Sequence, residues 1–126
     1  MYIYTNLNPI NKATDDCAVR AVAMVLDIPW ERAYMELCQI GLMLYDMPNK
    51  DAVLSSYLRK NGFKRYVIPN QCPDCYSVKD FCIDHPIGTY VLLTSNHAIA
   101  VIDGNYYDTS DSGNEIPMMY WKKERE

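Results

Sequence analysis

A cysteine that opens a helix and a histidine that opens a strand are the two residues of this 126-residue chain best placed for covalent acyl chemistry. Cys17 follows Thr14-Asp15-Asp16, residues that favour an N-cap, and precedes an almost wholly apolar run to Leu26. A thiol in the first turn of a helix meets unpaired backbone N–H groups and the positive end of the helix dipole. Both favour the thiolate, the form that attacks a carbonyl carbon. The plain alternative is a buried core cysteine. Asp15 and Asp16 weigh on that side, because nearby carboxylates oppose a thiolate unless they turn away to cap the helix.

The chain has two histidines, and His97 is the better placed. It heads the run AIAVI, followed by Asp103-Gly104 and then NYYDT. Asp-Gly between two such runs is a strong signal for a two-residue hairpin turn. That turn pairs Ile102 with Asn105, Ile99 with Asp108 and His97 with Ser110, so His97 and Asp108 become diagonal neighbours on one face. A carboxylate on one ring nitrogen fixes the tautomer of an imidazole and stabilises the imidazolium. The competing interpretation is a satisfied structural histidine and a turn aspartate. The co-facial placement favours chemistry: Cys17 as nucleophile, His97 as base, Asp108 as orienting acid. An oxyanion hole needs two donors. The backbone N–H of Cys17 is one, and the side-chain amide of Asn11, six residues upstream, or of Asn8 is the other.

A rival site lies further on. Cys72, Cys75, Cys82 and His85 have CxxC–x6–CxxH spacing, which could hold a closed, structural zinc ion. Free thiols account for the same cysteines. A redox role is disfavoured, since no thioredoxin-like βαβ pattern surrounds the CxxC. His85, just before Pro86, suits the last turn of a helix, where its positive form complements the dipole.

The elements that must position these residues follow from periodicity and punctuation. A short strand near Tyr2 to Tyr4 precedes the Asn8-Pro9 loop. Helices are predicted over Cys17 to Leu26, Pro29 to Leu44 and Asp51 to Lys60, the last stopped by Asn61-Gly62. The pattern then turns to strands: Lys64 to Pro69, Gly88 to Thr94, His97 to Ile102, Asn105 to Thr109 and Met118 to Trp121. Ser77 caps a short helix from Val78 to Asp84. Helices first and an antiparallel sheet after predict an α+β fold with the helices on one side of the sheet.

Composition narrows the function further. With 49 % hydrophobic and 22 % charged residues, residues 1–126 read as one globular domain. A net charge of −4 argues against nucleic-acid binding and against anionic membranes. The first residues, MYIYTNLNP, lack the basic and apolar stretches of a secretory leader, and no apolar run reaches membrane-spanning length. The expected location is the cytoplasm, where five cysteines are thiols, ligands or nucleophiles rather than disulfides.

A helix-start Cys, a later strand His and an acid on the next strand, in that order, resemble the papain-like cysteine peptidase superfamily. Within it the chain is most similar to short phage and bacterial papain-like proteins. The shared features are a DC-x-V-R-A helix start (Asp16 to Ala21), a V-K-D-F helix (Val78 to Phe81), an H-P-x-G-x-Y strand start (His85 to Tyr90) and an H-A-x-A-V-x-D-G-x-Y-x-D-T hairpin (His97 to Thr109). The resemblance implies a papain-like α+β fold and a thiol hydrolase, a peptidase or amidase working through a thioester on a peptide or protein substrate, with no cofactor required. It carries over the same three residues, and Asn11 at the position of the family's oxyanion amide. Two other outcomes fit such a chain: an inactive papain-like fold that binds a protein, as a phage–host factor would, and a transglutaminase-type acyl transferase. Neither substrate identity nor oligomeric state is written in these motifs.

Overall fold

The computed structural model describes residues 1–69 and 75–124. The elements run β1 (Tyr2–Tyr4), α1 (Cys17–Leu26), α2 (Trp30–Leu44), α3 (Asp51–Lys60), β2 (Phe63–Val67), α4 (Val78–Asp84), β3 (Thr89–Leu93), β4 (Ala98–Ile102), β5 (Asn105–Asp108) and β6 (Met119–Lys123). The fold is α+β, four helices on one six-stranded sheet of order β1-β5-β4-β3-β6-β2.

Helix α1 is apolar on almost every side, and a helix of that kind must be surrounded. Ala18, Val19, Ala21, Val22, Ala23 and Val25 are all buried, packed on β4, β3 and α2. The helix ends at Asp27, whose left-handed backbone (φ 53°) lets its N–H reach the carbonyls of Ala23 and Met24. Helix α2 is amphipathic and buries Ala33, Leu37, Ile40 and Gly41. Tyr34, which its spacing places on the same stripe, is instead 46 % exposed and stacked on Trp30. In α4, Ser77 and Asp80 form a reciprocal capping box.

The sheet differs from the expectation in two respects. It is mixed rather than antiparallel, because β1 pairs with β5 in parallel, Tyr2 opposite Tyr106 and Tyr4 opposite Asp108. A parallel partner needs a long crossover, and the chain from α1 to β4, with all four helices, provides it. Helices also cover both faces rather than one. Helices α1, α2 and α3 share a core with Val91, Leu93, Ala98, Ala100 and Trp121. Helix α4 packs Val78, Phe81 and Cys82 against Tyr90, Leu92, Ile99, Val101 and Tyr106 on the other face. The alternation of β4 divides its residues between the two cores.

The β4–β5 hairpin has the predicted register, Ile102 opposite Asn105 and Ala100 opposite Tyr107. Its turn uses Asp103 (φ 50°) and Gly104 (φ 78°), both left-handed. The Asp103 carboxylate also accepts the Gly88 N–H at 2.9 Å, fastening the turn to the start of β3. Asn at position 103 keeps both the backbone preference and an acceptor oxygen. In urea titrations Asp103→Asn is expected to change stability by less than about 0.5 kcal/mol. Asp103→Val, β-branched at a left-handed site and without an acceptor, is expected to cost about 2 kcal/mol or more.

Candidate active site

The N-terminus of α1 and the open end of the hairpin meet at one edge of the sheet. Cys17 is the first residue of α1 and is partly buried. His97 lies just before β4, and Asp108 closes β5. At the strand ends their side chains leave the alternation that sends Ile99, Val101 and Tyr106 towards α4, and they reach α1 instead.

The His97 Nε2 lies 2.6 Å from Asp108 Oδ2, and the ring also hydrogen-bonds Cys17. With Nε2 engaged by the carboxylate, Nδ1 is the nitrogen left for the thiol. The Asp108 hydrogen bond, then that of Cys17, pushes the His97 pKa up to about 10 against the opposing effect of burial. For Asp108, burial works to raise the pKa. The hydrogen bonds from His97 and Ser112, the His97 charge and the Thr109 N–H outweigh it and hold the carboxyl at about 2. Asp108 is only 2 % exposed and every contact is short: Ser112 Oγ donates to Oδ2 at 2.8 Å, and Thr109 N and Arg20 Nη1 donate to Oδ1 at 2.8 and 3.1 Å.

Asp16 is the N-cap by position, but its carboxylate makes no capping bond. It is buried and accepts from Arg20 Nε at 2.8 Å, Trp30 Nε1 at 3.0 Å and Asn8 Nδ2 at 3.4 Å. Asp16 is therefore turned into the protein by these partners. Its neighbour Asp15 stays exposed and lines the cleft of about 120 Å3 that contains Cys17 and His97. Asn49, Asp51 and Asn96 also line it.

Neither upstream amide is among the residues that line the cleft. Asn11 is an exposed turn residue with φ 53°, its N–H bonded to the Asn8 carbonyl, and it does not line the cleft. The Asn8 side chain is spent on Asp16 and on the backbone N–H groups of Ile10 and Lys12. The amide side chains at the cleft are Asn49 and Asn96. Asn96 was detectable in sequence only as the neighbour of His97. Arg20 and Ser112 were missed, although the i,i+4 spacing of Asp16 and Arg20 was a signal for their ion pair.

The rival CxxC–CxxH set is not gathered among the described residues, where no three His, Cys, Asp or Glu side chains are placed to hold a metal. Cys72 lies outside the described residues. Cys75 is disulfide-bonded, which corrects the expectation of reduced cysteines throughout. Cys82 is buried in the α4 core, and burial pushes its thiol up. His85 stacks on Phe81 with Nδ1 2.9 Å from the Phe81 carbonyl. Among the described residues no helix is long and apolar enough to cross a membrane. Comparison with family models, with curated proteins and with solved structures finds no match.

The two shifted groups predict a stability profile. The His97 pKa is raised from 6.5 to about 10, so its contribution is complete below pH 6.5 and disappears as pH rises through about 10. The Asp108 pKa is lowered from 3.8 to about 2, so its contribution is complete above pH 3.8 and disappears as pH falls through about 2. Thermal melts should show Tm declining from pH 6.5 towards pH 10, and His97→Ala should flatten that decline. An unchanged alkaline decline in His97→Ala would assign it to other groups.

Proposed function

We propose that this chain is a cysteine (thiol) hydrolase of papain-like architecture that cleaves amide bonds of a peptide or protein. Cys17 is the nucleophile, His97 the base and Asp108 the orienting acid. The observation that carries this reading is the His97 ring held between the Asp108 carboxylate at 2.6 Å and the Cys17 thiol.

The chemistry follows from that arrangement. His97, its pKa raised to about 10, holds the proton of the Cys17–His97 pair as the sulfur attacks the substrate carbonyl carbon to give a tetrahedral oxyanion. The Cys17 backbone N–H, at the start of α1 where such groups lack helical partners, faces the developing charge, assisted by Asn96 or Asn49 at the cleft. The carbon–nitrogen bond breaks as the imidazolium returns its proton to the departing amine, leaving a thioester. His97 then deprotonates a water, which attacks the thioester. The acid departs and the thiol is restored. Asp108 keeps the ring in the tautomer that presents Nδ1 to sulfur throughout. A second recess of about 350 Å3 shares Asp15 and Asn49 with the reactive cleft and contains Trp30, Tyr34 and Met47, offering room for a substrate side chain.

The first test is competitive alkylation. Among the free thiols Cys17, Cys38 and Cys82, limited iodoacetamide at neutral pH followed by peptide mapping should label Cys17 first, and His97→Ala should slow it by about tenfold or more. Faster labelling of Cys38, or no effect of His97→Ala, would sink the proposal and leave a binding protein. A peptide library with a primary amine present then separates hydrolysis from acyl transfer, since a transferase incorporates the amine.

Asp108 needs a gentle substitution. Asp108→Ala would leave Arg20, Ser112 and Thr109 without their shared acceptor and cost about 3 kcal/mol or more of stability. Asp108→Asn keeps the shape and should lower the Cys17 labelling rate while the protein still melts cooperatively. A labelling rate equal to wild type would remove Asp108 from the machinery.

A further inference from the structure

Helix α1 carries one charged side chain, Arg20, in the sequence CAVRAVAMVL. Its side chain is only 13 % exposed, and a buried guanidinium needs partners on both sides of its fork. It has them: Nε donates to Asp16 Oδ1 at 2.8 Å and Nη1 to Asp108 Oδ1 at 3.1 Å. Asp16 is tied in turn to Trp30 of α2 and to Asn8 of the preceding loop. The guanidinium thus stands between a carboxylate next to the nucleophile and the carboxylate that orients the base.

Helical spacing gives this placement its consequence. Cys17 and Arg20 are three apart, so their side chains lie on one face of α1, the face turned to the hairpin. Any rotation of α1 that withdraws Cys17 from His97 also pulls Arg20 from Asp108. On the hairpin side, Arg20 and the Thr109 N–H occupy Oδ1 of Asp108, which leaves Oδ2 for His97 and Ser112. A carboxylate fixed at one oxygen cannot turn about its Cβ–Cγ bond to offer the imidazole a different lone pair.

We propose that Arg20 is a positioning residue that locks the Asp108 carboxylate onto His97 and couples the helix bearing the nucleophile to the hairpin bearing the base. This inference rests on the thiol-hydrolase reading. The task needs arginine. Its planar fork serves two carboxylates in two directions at once, whereas a lysine ammonium at the end of a flexible stem acts as a point charge.

The test reads the Cys17 alkylation rate and the far-downfield NMR signal of the proton shared by His97 and Asp108, with a thermal melt to verify folding. The chain has only His85 and His97, so the signal is assigned by its loss in His97→Ala. Arg20→Met and Arg20→Lys should both slow labelling, the first by about ten- to a hundredfold, the second recovering only part of that, and both should shift or broaden the downfield signal. In an Asp108→Asn background, Arg20→Met should add less than about twofold, because the charged carboxylate it acts through is gone. A purely structural Arg20 would instead slow both backgrounds equally and leave the signal in place. That result overturns the inference, as does wild-type behaviour of Arg20→Lys. If Arg20→Met does not fold, the Lys variant and its downfield signal decide. Should His97→Ala slow labelling while the Arg20 variants do not, only this inference fails. Should His97→Ala itself leave the rate unchanged, the hydrolase reading fails.

Discussion

A carboxylate cannot be taken out of water cheaply, and Asp108 is 2 % exposed. Four donors make that burial tolerable: Arg20 from α1, His97 from the start of the hairpin, Ser112 from the following loop and the backbone N–H of Thr109. These donors come from three separate stretches of chain. Satisfying one buried charge therefore forces the helix, the hairpin and the loop beyond it into a single arrangement. The imidazole geometry that the proposed chemistry needs is one part of that arrangement, so positioning the ring and burying the charge are met by the same contacts.

The two cores give this arrangement a stiff support. Helix α1 is the most enclosed helix, pressed between β3–β4 and α2, and Cys17 sits where it emerges from that packing. The residues before it, from Pro9 to Asp15, are exposed. A reactive group at the tip of a rigid element keeps its aim, while the loop beside it can vary without disturbing the core. On the opposite face α4 holds Ile99, Val101 and Tyr106, so the hairpin strands are braced from behind as well. Volume alone says little about chemistry: a hollow of about 390 Å3 lies on the α4 side beside Tyr2, Lys79 and Tyr106 and shares no lining residue with the smaller cleft that contains Cys17 and His97.

The hairpin was legible because its turn chemistry is local. Asp-Gly fixed the two-residue loop, the loop fixed the pairing, and the pairing brought His97 and Asp108 together before any tertiary contact was considered. The start of α1 was legible for the same reason, since N-cap residues precede an apolar run. What stayed hidden depends on distant partners. Nothing local says that Asp16 turns towards Trp30 and Arg20 rather than capping its helix. Nothing near Tyr2 says that it lies beside Tyr106 in parallel, and α4 has no local mark of which face of the sheet it covers. Spacing along the chain did not say where Asn11 lies in three dimensions: its backbone is left-handed, and the residue is exposed and outside the lining of the cleft.

The strand order has one more consequence, for the behaviour of the protein in concentrated solution. The outermost strands are β1 and β2, and an outer strand exposes unpaired N–H and C=O groups to any other chain that comes near. Strand β1 has only three residues, too few to recruit a long partner. Strand β2 is longer but carries Lys64 and Arg65, both exposed, so a second copy approaching in the plane of the sheet would bring like charges together. The strands with the most hydrophobic sequences, TYVLL and AIAVI, lie in the interior of the sheet with neighbours on both sides. The segments of highest amyloid risk are thus the ones least able to meet their counterparts in another molecule while the fold is intact.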